Sequence, residues 1–239
     1  MYKINSCIIP AAGNSSRFNH KESKIFYKFQ NKAIIAYIVD KVKKYSKEII
    51  LIIKKKDKNK LQKIFKNKKI KFVFQSKADG IASAVYLGLK EAKYDNSIIL
   101  WADQVGLSEE TIVKTLKFFY RKSYFMVMPQ IKSKKPYTKI ISKKNYLKKI
   151  YSSRDGYKMN LNKKCDCGLF VSKTGILKKN LQKLINKKKI LNKKKEHDFL
   201  KALNILAKKL KIKLINSYNS QDNIGINYFH DLKKMNTND

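Results

Sequence analysis

An apolar run, Ile8-Ile9-Pro10, leads directly into Ala11-Ala12-Gly13-Asn14-Ser15-Ser16, and Arg17 and Lys24 follow at short range. Residues this small leave main-chain N–H and C=O groups uncovered, so a base or a phosphate can approach the backbone closely. The guanidinium and the ammonium then supply fixed positive charge where a triphosphate would lie. The chemistry implied is nucleoside triphosphate binding. No Gly-Lys-Ser/Thr follows, so this is not a Walker loop, and the three glycines of a dinucleotide fingerprint are missing.

The elements that position this loop are legible from periodicity. Strands are expected at 4–10, 48–53, 71–74 and 97–101, alternating with helices at 33–45, 58–65 and 81–92. Such alternation implies a mostly parallel sheet with helices on both faces, a Rossmann-like three-layer α/β domain. Ligands in such sheets bind beyond the carboxyl ends of the strands, where the Ala-Ala-Gly loop and Asp103 both fall. Ser108 before Glu109 and Glu110 reads as an N-cap with an acidic first turn, opening a helix to about 120. Further strands are expected at 124–128, in short pieces over 136–151, at 165–171 and at 212–216. Helices are expected at 174–185, at 196–209 and after Gly225. The lysine runs 187–189 and 193–195 read as an exposed, mobile connection.

The chain has 239 residues, enough to bury one ordinary core, and no apolar run approaches membrane-spanning length. No repeat or linker divides it. It reads as one domain over 1–239, with a nucleotide-binding half at 1–120 and an acceptor-binding half at 121–239. No signal peptide is visible, and three cysteines (Cys7, Cys165, Cys167) without metal-type spacing point to a reducing cytoplasm and a structural role. The net charge of +39 raises a nucleic-acid reading, but the arginines are only Arg17, Arg121 and Arg154, and the lysines are spread through every element. A generally solvated basic surface is expected, attractive to anionic substrates but with no specific nucleic-acid partner. His20, His197 and His230 show neither metal nor triad spacing. Tyr37, Tyr45 and Tyr86 read as helix core.

The first loop resembles the signature of nucleotidyltransferases that activate sugar phosphates and related alcohols. Three further segments are similar to the sugar-1-phosphate nucleotidyltransferase family, with its GT-A-like fold, and most of all to the uridylyltransferase half of the bifunctional N-acetylglucosamine-1-phosphate enzymes. Gln75 with Gly80-Ile81-Ala82-Ser83 resembles the family's Gln followed by Gly-Thr-Ala, which reads the base edge; Ile81 stands in place of Thr, with Ser83 as a nearby hydroxyl. Trp101-Ala102-Asp103-Gln104-Val105 resembles the motif whose aspartate holds Mg²⁺. Gly225-Ile226-Asn227 resembles the late segment whose asparagine joins that aspartate on the metal. The resemblance implies Arg17, Lys24 and Asp103 as catalytic residues, and Ala11, Ala12, Gly13, Asn14, Ser15, Gln75 and Gly80 as the nucleotide site. It implies Asp103 and Asn227 as Mg²⁺ ligands.

The acceptor side departs from the pattern. Asp166-Cys167-Gly168 stands where the family has Asn-Thr-Gly or Asn-Ala-Gly, Ser152 or Ser153 stands near the position of an acceptor-binding Glu, and Glu196-His197-Asp198 partly matches Glu-Tyr-Tyr. Gly168 and Glu196 are the acceptor-binding candidates. The implied activity is transfer of a nucleoside monophosphate from an NTP, UTP or CTP, to a sugar 1-phosphate or similar acceptor, releasing pyrophosphate. A cytidylyltransferase acting on phosphocholine, methylerythritol phosphate or the molybdenum cofactor is the alternative within the class. A non-catalytic nucleotide- or polyanion-binding protein is the alternative outside it.

Overall fold

The computed structural model describes residues 5–13, 18, 22–66, 69–122 and 124–231. The expected site residues Asn14, Ser15 and Arg17 lie outside the described residues, as do Ser16 and His20.

In chain order the strands are β1 (Ser6–Pro10), β2 (Lys28–Phe29), β3 (Lys32–Ala33), β4 (Glu48–Ile53), β5 (Ile70–Phe74), β6 (Asn96–Leu100), β7 (Met126–Ser133), β8 (Thr138–Lys143), β9 (Tyr146–Ser152), β10 (Lys163–Asp166), β11 (Leu169–Lys173) and β12 (Ile212–Asn216). The helices are α1 (Ile34–Val42), α2 (Lys58–Ile64), α3 (Ile81–Glu91), α4 (Glu109–Arg121), α5 (Thr174–Asn186) and α6 (Phe199–Leu206). One sheet runs in the order β5-β4-β1-β6-β11-β7-β12-β9-β8, with β10 also paired to β7. The strands β5, β4, β1 and β6 are mutually parallel, as expected, and β11 enters antiparallel between β6 and β7.

The strand alternation divides the core into two layers. Cys7 and Ile9 of β1, with Leu51 and Ile98, face the layer built by α1, α2 and α4. Ile8, Ile50, Ile52 and Ile99 face the layer built by α3, α5 and α6. Strands buried on both faces explain the unbroken apolar runs. Strand order turns around at β1 and β6, so a crevice opens beyond their carboxyl ends.

Three expectations are corrected. The strand expected at 165–171 is two strands, β10 and β11, broken at Cys167-Gly168 with Gly168 at φ +66°. The break lies opposite Met128-Pro129 of β7, between the Asp166–Gln130 and Val171–Val127 pairs, where proline has no N–H for the ladder. The helix expected from 196 begins only at Phe199, because the Asp198 side chain accepts from the Lys201 N–H as an N-cap. The 187–195 connection does expose its lysines, but it is fastened: Ile190 is buried, Asp198 N donates to Ile190 O at 2.8 Å, and Asn192 N donates to Glu196 O at 2.9 Å.

The strand expected at 124–128 extends over Met126–Ser133, and the short pieces at 136–151 form the β8–β9 hairpin. After Gly225 a helical turn begins at 229. The β2–β3 hairpin was not foreseen; Gln30 and Asn31, both at positive φ, form its turn.

Candidate active site

The Lys24–Phe26 turn is pinned by buried Ile25 and Phe26, and it presents Lys24 to the end of β6. There the Lys24 ammonium donates to the Asp103 carboxylate and, at 2.9 Å, to the carbonyl of Ile226. Ile226 N in turn donates to the Asp103 carbonyl at 2.9 Å, and Gly106 N donates to Ile224 O at 2.9 Å. The 224–227 segment therefore lies along the loop that follows β6, which brings Lys24, Asp103 and Asn227 into one place. Asn227 is itself held: its N–H donates to Asp231 Oδ2 at 2.9 Å and its Nδ2 to Gly225 O at 3.3 Å.

Packing fixes the same convergence. The rings of Phe18, Tyr27 and Phe229 meet at centroid distances of 5.0, 5.6 and 5.8 Å, and Ile226 is fully buried. Asp222 anchors the approach to Gly225. Its buried carboxylate accepts from Ser108 N at 2.6 Å, Thr111 Oγ1 at 2.5 Å and Asn219 N at 2.9 Å, while its carbonyl accepts from Gln104 Nε2 at 3.0 Å. A carboxylate at the first turn of α4 also suits that helix's dipole. The sequence reading missed Asp222, because nothing around it sets it apart from other polar turn residues.

At the Gln75–Gly80 segment, Gln75 continues β5 through its N–H to Ile53 O at 3.0 Å, and its Nε2 donates to Asp79 Oδ1 at 2.7 Å and Gly80 O at 3.0 Å. Gly80 caps α3 at φ +106°, and a Cβ there would lie 2.4 Å from the carbonyl of His197. His197 is thus a second residue that spacing did not reveal: its N–H donates to Asp79 O at 2.6 Å and its Nδ1 pairs with Ser83 Oγ at 2.8 Å. The Ser83 hydroxyl, considered above as a substitute for the family's Thr, is engaged by this ring. Ala11 and Ala12 are buried at the end of β1, where Ala11 N donates to Ile52 O at 2.7 Å, and Gly13 is exposed, with no atom of the described residues within 4 Å of a Cβ built on it.

Of the two acceptor candidates, Gly168 joins the cluster, its carbonyl accepting from Trp101 N at 3.0 Å. A Cβ at Gly168 would meet Gln104 Oε1 and Trp101 Cδ1, each at 2.8 Å. Glu196 holds its own loop, accepting from Asn192 Nδ2 at 3.3 Å. Beside Gly225 and Asn227 opens a cleft of about 310 Å³, lined also by Lys135, Tyr137, Asp166 and Asn223. Burial raises the Asp166 carboxyl above the usual carboxylate range, opposed by hydrogen bonds from Thr138 Oγ1 at 2.6 Å and Gly168 N at 3.1 Å.

Asp103 and Asn227 offer a carboxylate and an amide carbonyl, oxygen donors of the kind a hard divalent cation takes. Among the described residues no group of three or more His, Cys, Asp or Glu could hold a metal, so a cation here would complete its shell with substrate oxygens. The three cysteines are buried and free. Burial pushes the thiols of Cys7 and Cys165 up to about 12 and that of Cys167 well above its usual range, which disfavours their thiolate forms. Among the described residues no helix is long and apolar enough to cross a membrane.

The family model described as MobA-like NTP transferase domain matches residues 7–162. The chain is 25% identical over 227 residues to a protein named bifunctional protein GlmU from Buchnera aphidicola subsp. Acyrthosiphon pisum, covering 92% of this chain and 48% of that one. It is 30% identical over 118 residues to the protein of the same name from Caldicellulosiruptor saccharolyticus, covering 48% of this chain and 25% of that one. The chain thus spans between a quarter and about half the length of these curated relatives. The solved structure of 4-diphosphocytidyl-2C-methyl-D-erythritol synthase from Anaerococcus prevotii superposes with a TM-score of 0.68 at 21% identity, covering 100% of this chain and 99% of that one, which shows the shared fold. With the motif loops gathered at the carboxyl ends of β1 and β6 and a family match over most of its length, the chain belongs to the MobA-like NTP transferase domain family.

Proposed function

We propose that this protein transfers a nucleoside monophosphate from UTP or CTP to a phosphorylated small molecule, a sugar 1-phosphate or a related compound, in the cytoplasm. The observation that carries this reading is the meeting of Lys24, Asp103 and the Ile226-Asn227 backbone beyond β1 and β6. In the reaction, an oxygen of the acceptor phosphate bonds to the α-phosphorus. The bond from that phosphorus to the α,β-bridging oxygen breaks, and pyrophosphate leaves with the electron pair. The nucleophile is already anionic, so no Ser-His or Cys-His activation is needed, and rate enhancement comes from alignment and charge neutralisation.

The Ala11-Ala12-Gly13 loop, continuing through Asn14 and Ser15, admits the nucleotide close to the backbone, while Gln75 and the Gly80 backbone read the base edge. Lys24, with Arg17, offsets charge on the triphosphate and on the departing pyrophosphate. Asp103 and Asn227 would hold Mg²⁺, which would supply charge neutralisation at the phosphates when bound. Gly168, whose N–H holds the Asp166 carboxylate at the cleft, is the first acceptor candidate, and Glu196 is the second. The overall positive charge raises the local concentration of both anionic substrates.

Pyrophosphate release, screened across the common NTPs and a panel of sugar 1-phosphates, phosphocholine and methylerythritol phosphate, tests the reading. One NTP–acceptor pair is expected to turn over, with turnover abolished in Asp103→Ala. A wild-type rate in that variant would refute the assignment.

A further inference from the structure

The cleft beside Asn227 inverts the charge balance of the chain. The protein carries 56 Lys and Arg against 17 Asp and Glu, yet the charged lining of this cleft among the described residues is Asp166 and Asp231 against Lys135. Asp231 is occupied by the backbone N–H groups of Asn227 and Tyr228, at 2.9 and 2.8 Å. Its Oδ1 also lies 3.3 Å from His230 Nε2. Asp166 likewise accepts from neutral donors, Thr138 Oγ1 and Gly168 N, but among the described residues no lysine, arginine or histidine forms an ion pair with it. Arg154 reaches it only through space. A carboxyl in a cleft with no directly ion-paired cation among the described residues, in a protein this rich in lysine, is placed to meet a cation that arrives with a ligand.

A second observation points the same way. Gln130 stands directly across the ladder from Asp166, so the two side chains share a face of the sheet. Gln130 is 1% exposed, and its Oε1 has no hydrogen-bond donor among the described residues. A buried acceptor without a donor on the same face of the sheet as the Asp166 carboxyl adds to the excess of acceptors beside the cleft, which favours positive charge there. One wall carries an aromatic ring. Tyr137 is 38% exposed and lines both this cleft and an adjoining one of about 360 Å³ that includes Tyr157 and Met159. Aromatic faces beside a carboxyl are the chemistry that recognises ammonium and quaternary ammonium groups.

We propose that the acceptor carries an ammonium or quaternary ammonium group, seated against Asp166 and Tyr137, with its phosphate directed toward Asn227 and Lys24. This rests on the nucleotidyl-transfer reading for the identity of the site, and it narrows the acceptor to amine-bearing phosphates, either amino-alcohol phosphates or amino-sugar phosphates. Asp166 then sets specificity, and the exposed Lys135 opposes the cationic end of the ligand.

Two matched pairs separate the sources. Phosphocholine is compared with its uncharged carbon isostere 3,3-dimethylbutyl phosphate, and glucosamine 1-phosphate with glucose 1-phosphate. Binding to the whole protein is measured by calorimetry with Mg²⁺, in the presence and absence of non-hydrolysable UTP and CTP analogues. In at least one pair the cationic member is expected to bind at least about tenfold more tightly, the scale of a charge-assisted contact. Asp166→Asn should bring the members of that pair within about twofold of each other, the neutral member still binding. Lys135→Gln should tighten the cationic member. Equal binding within both pairs, no binding of either cationic member, or a preference that survives Asp166→Asn overturns the proposal. Thermal stabilisation by the nucleotide analogues, read on the same samples, reports separately on the nucleotidyl-transfer reading, which stands if that stabilisation persists while the preference fails.

Discussion

Ile226 N donates to the carbonyl of Asp103 across 2.9 Å, and the Lys24 ammonium bridges the Asp103 carboxylate and the Ile226 carbonyl. Residues from the beginning, middle and end of the chain are thereby tied by main-chain and side-chain bonds together.

Asp222 is the principal fastener. Replacing it with Ala leaves Ser108 N, Thr111 Oγ1 and Asn219 N without their acceptor in a buried place, and stability should fall by roughly 3 kcal/mol. Asp222→Asn keeps one acceptor oxygen and should cost about half as much. Urea unfolding midpoints check both values.

Gly80 sits at φ +106° with the His197 backbone where a side chain would start. Gly80→Ala should destabilise by about 1–3 kcal/mol through strain, and more if the 190–198 loop is pushed off α3. A fall in Tm, together with new protease sensitivity near His197, is the expected result.

Gly13 is the contrasting case, since among the described residues a Cβ there meets nothing within 4 Å. Gly13→Val should leave stability within about 0.5 kcal/mol of wild type. If the loop takes a nucleotide against its backbone, the same change should raise the KM for NTP at least about tenfold, which steady-state pyrophosphate assays resolve.

Cys7 yields a pH dependence. Its thiol ordinarily titrates at 9.0, and burial pushes it up to about 12 in the folded protein, opposed by a hydrogen bond with Ser46. Between those values the folded state holds a proton that the unfolded state has released. The stabilisation is therefore complete below pH 9 and is lost as pH rises toward 12, at about 1.4 kcal/mol per pH unit. Cys7→Ala should flatten that part of the decline; equal slopes in the two proteins from pH 9 to 11 would contradict it.

Much of this molecule was readable before any coordinate. The parallel half was legible because Ile49 to Ile53 and Ser97 to Leu100 are buried on both faces, which makes their apolar runs continuous. The late Gly225-Ile226-Asn227 segment was legible through its pattern, though its partner bonds to Asp103 and Gly106 run through backbone atoms that carry no sequence signal. What failed to show were contacts between distant loops. His197 meets Gly80 only because the 190–198 loop folds back onto α3, and the β10–β11 break follows from Pro129 on a different strand. The helix boundary was not legible either, because Asp198 caps the helix and so starts it after the Glu196-His197-Asp198 triplet and not within it.

The most direct test of the central claim, that Asp103 and Asn227 share one divalent cation, is a Mg²⁺ titration of pyrophosphate release by wild type, Asp103→Ala and Asn227→Ala, with Tm measured on each. Asp103→Ala is expected to show no turnover at any Mg²⁺ concentration, and Asn227→Ala to need at least about tenfold more Mg²⁺ for half-maximal rate, both remaining folded. Wild-type turnover and an unchanged Mg²⁺ requirement in both folded variants would contradict the account.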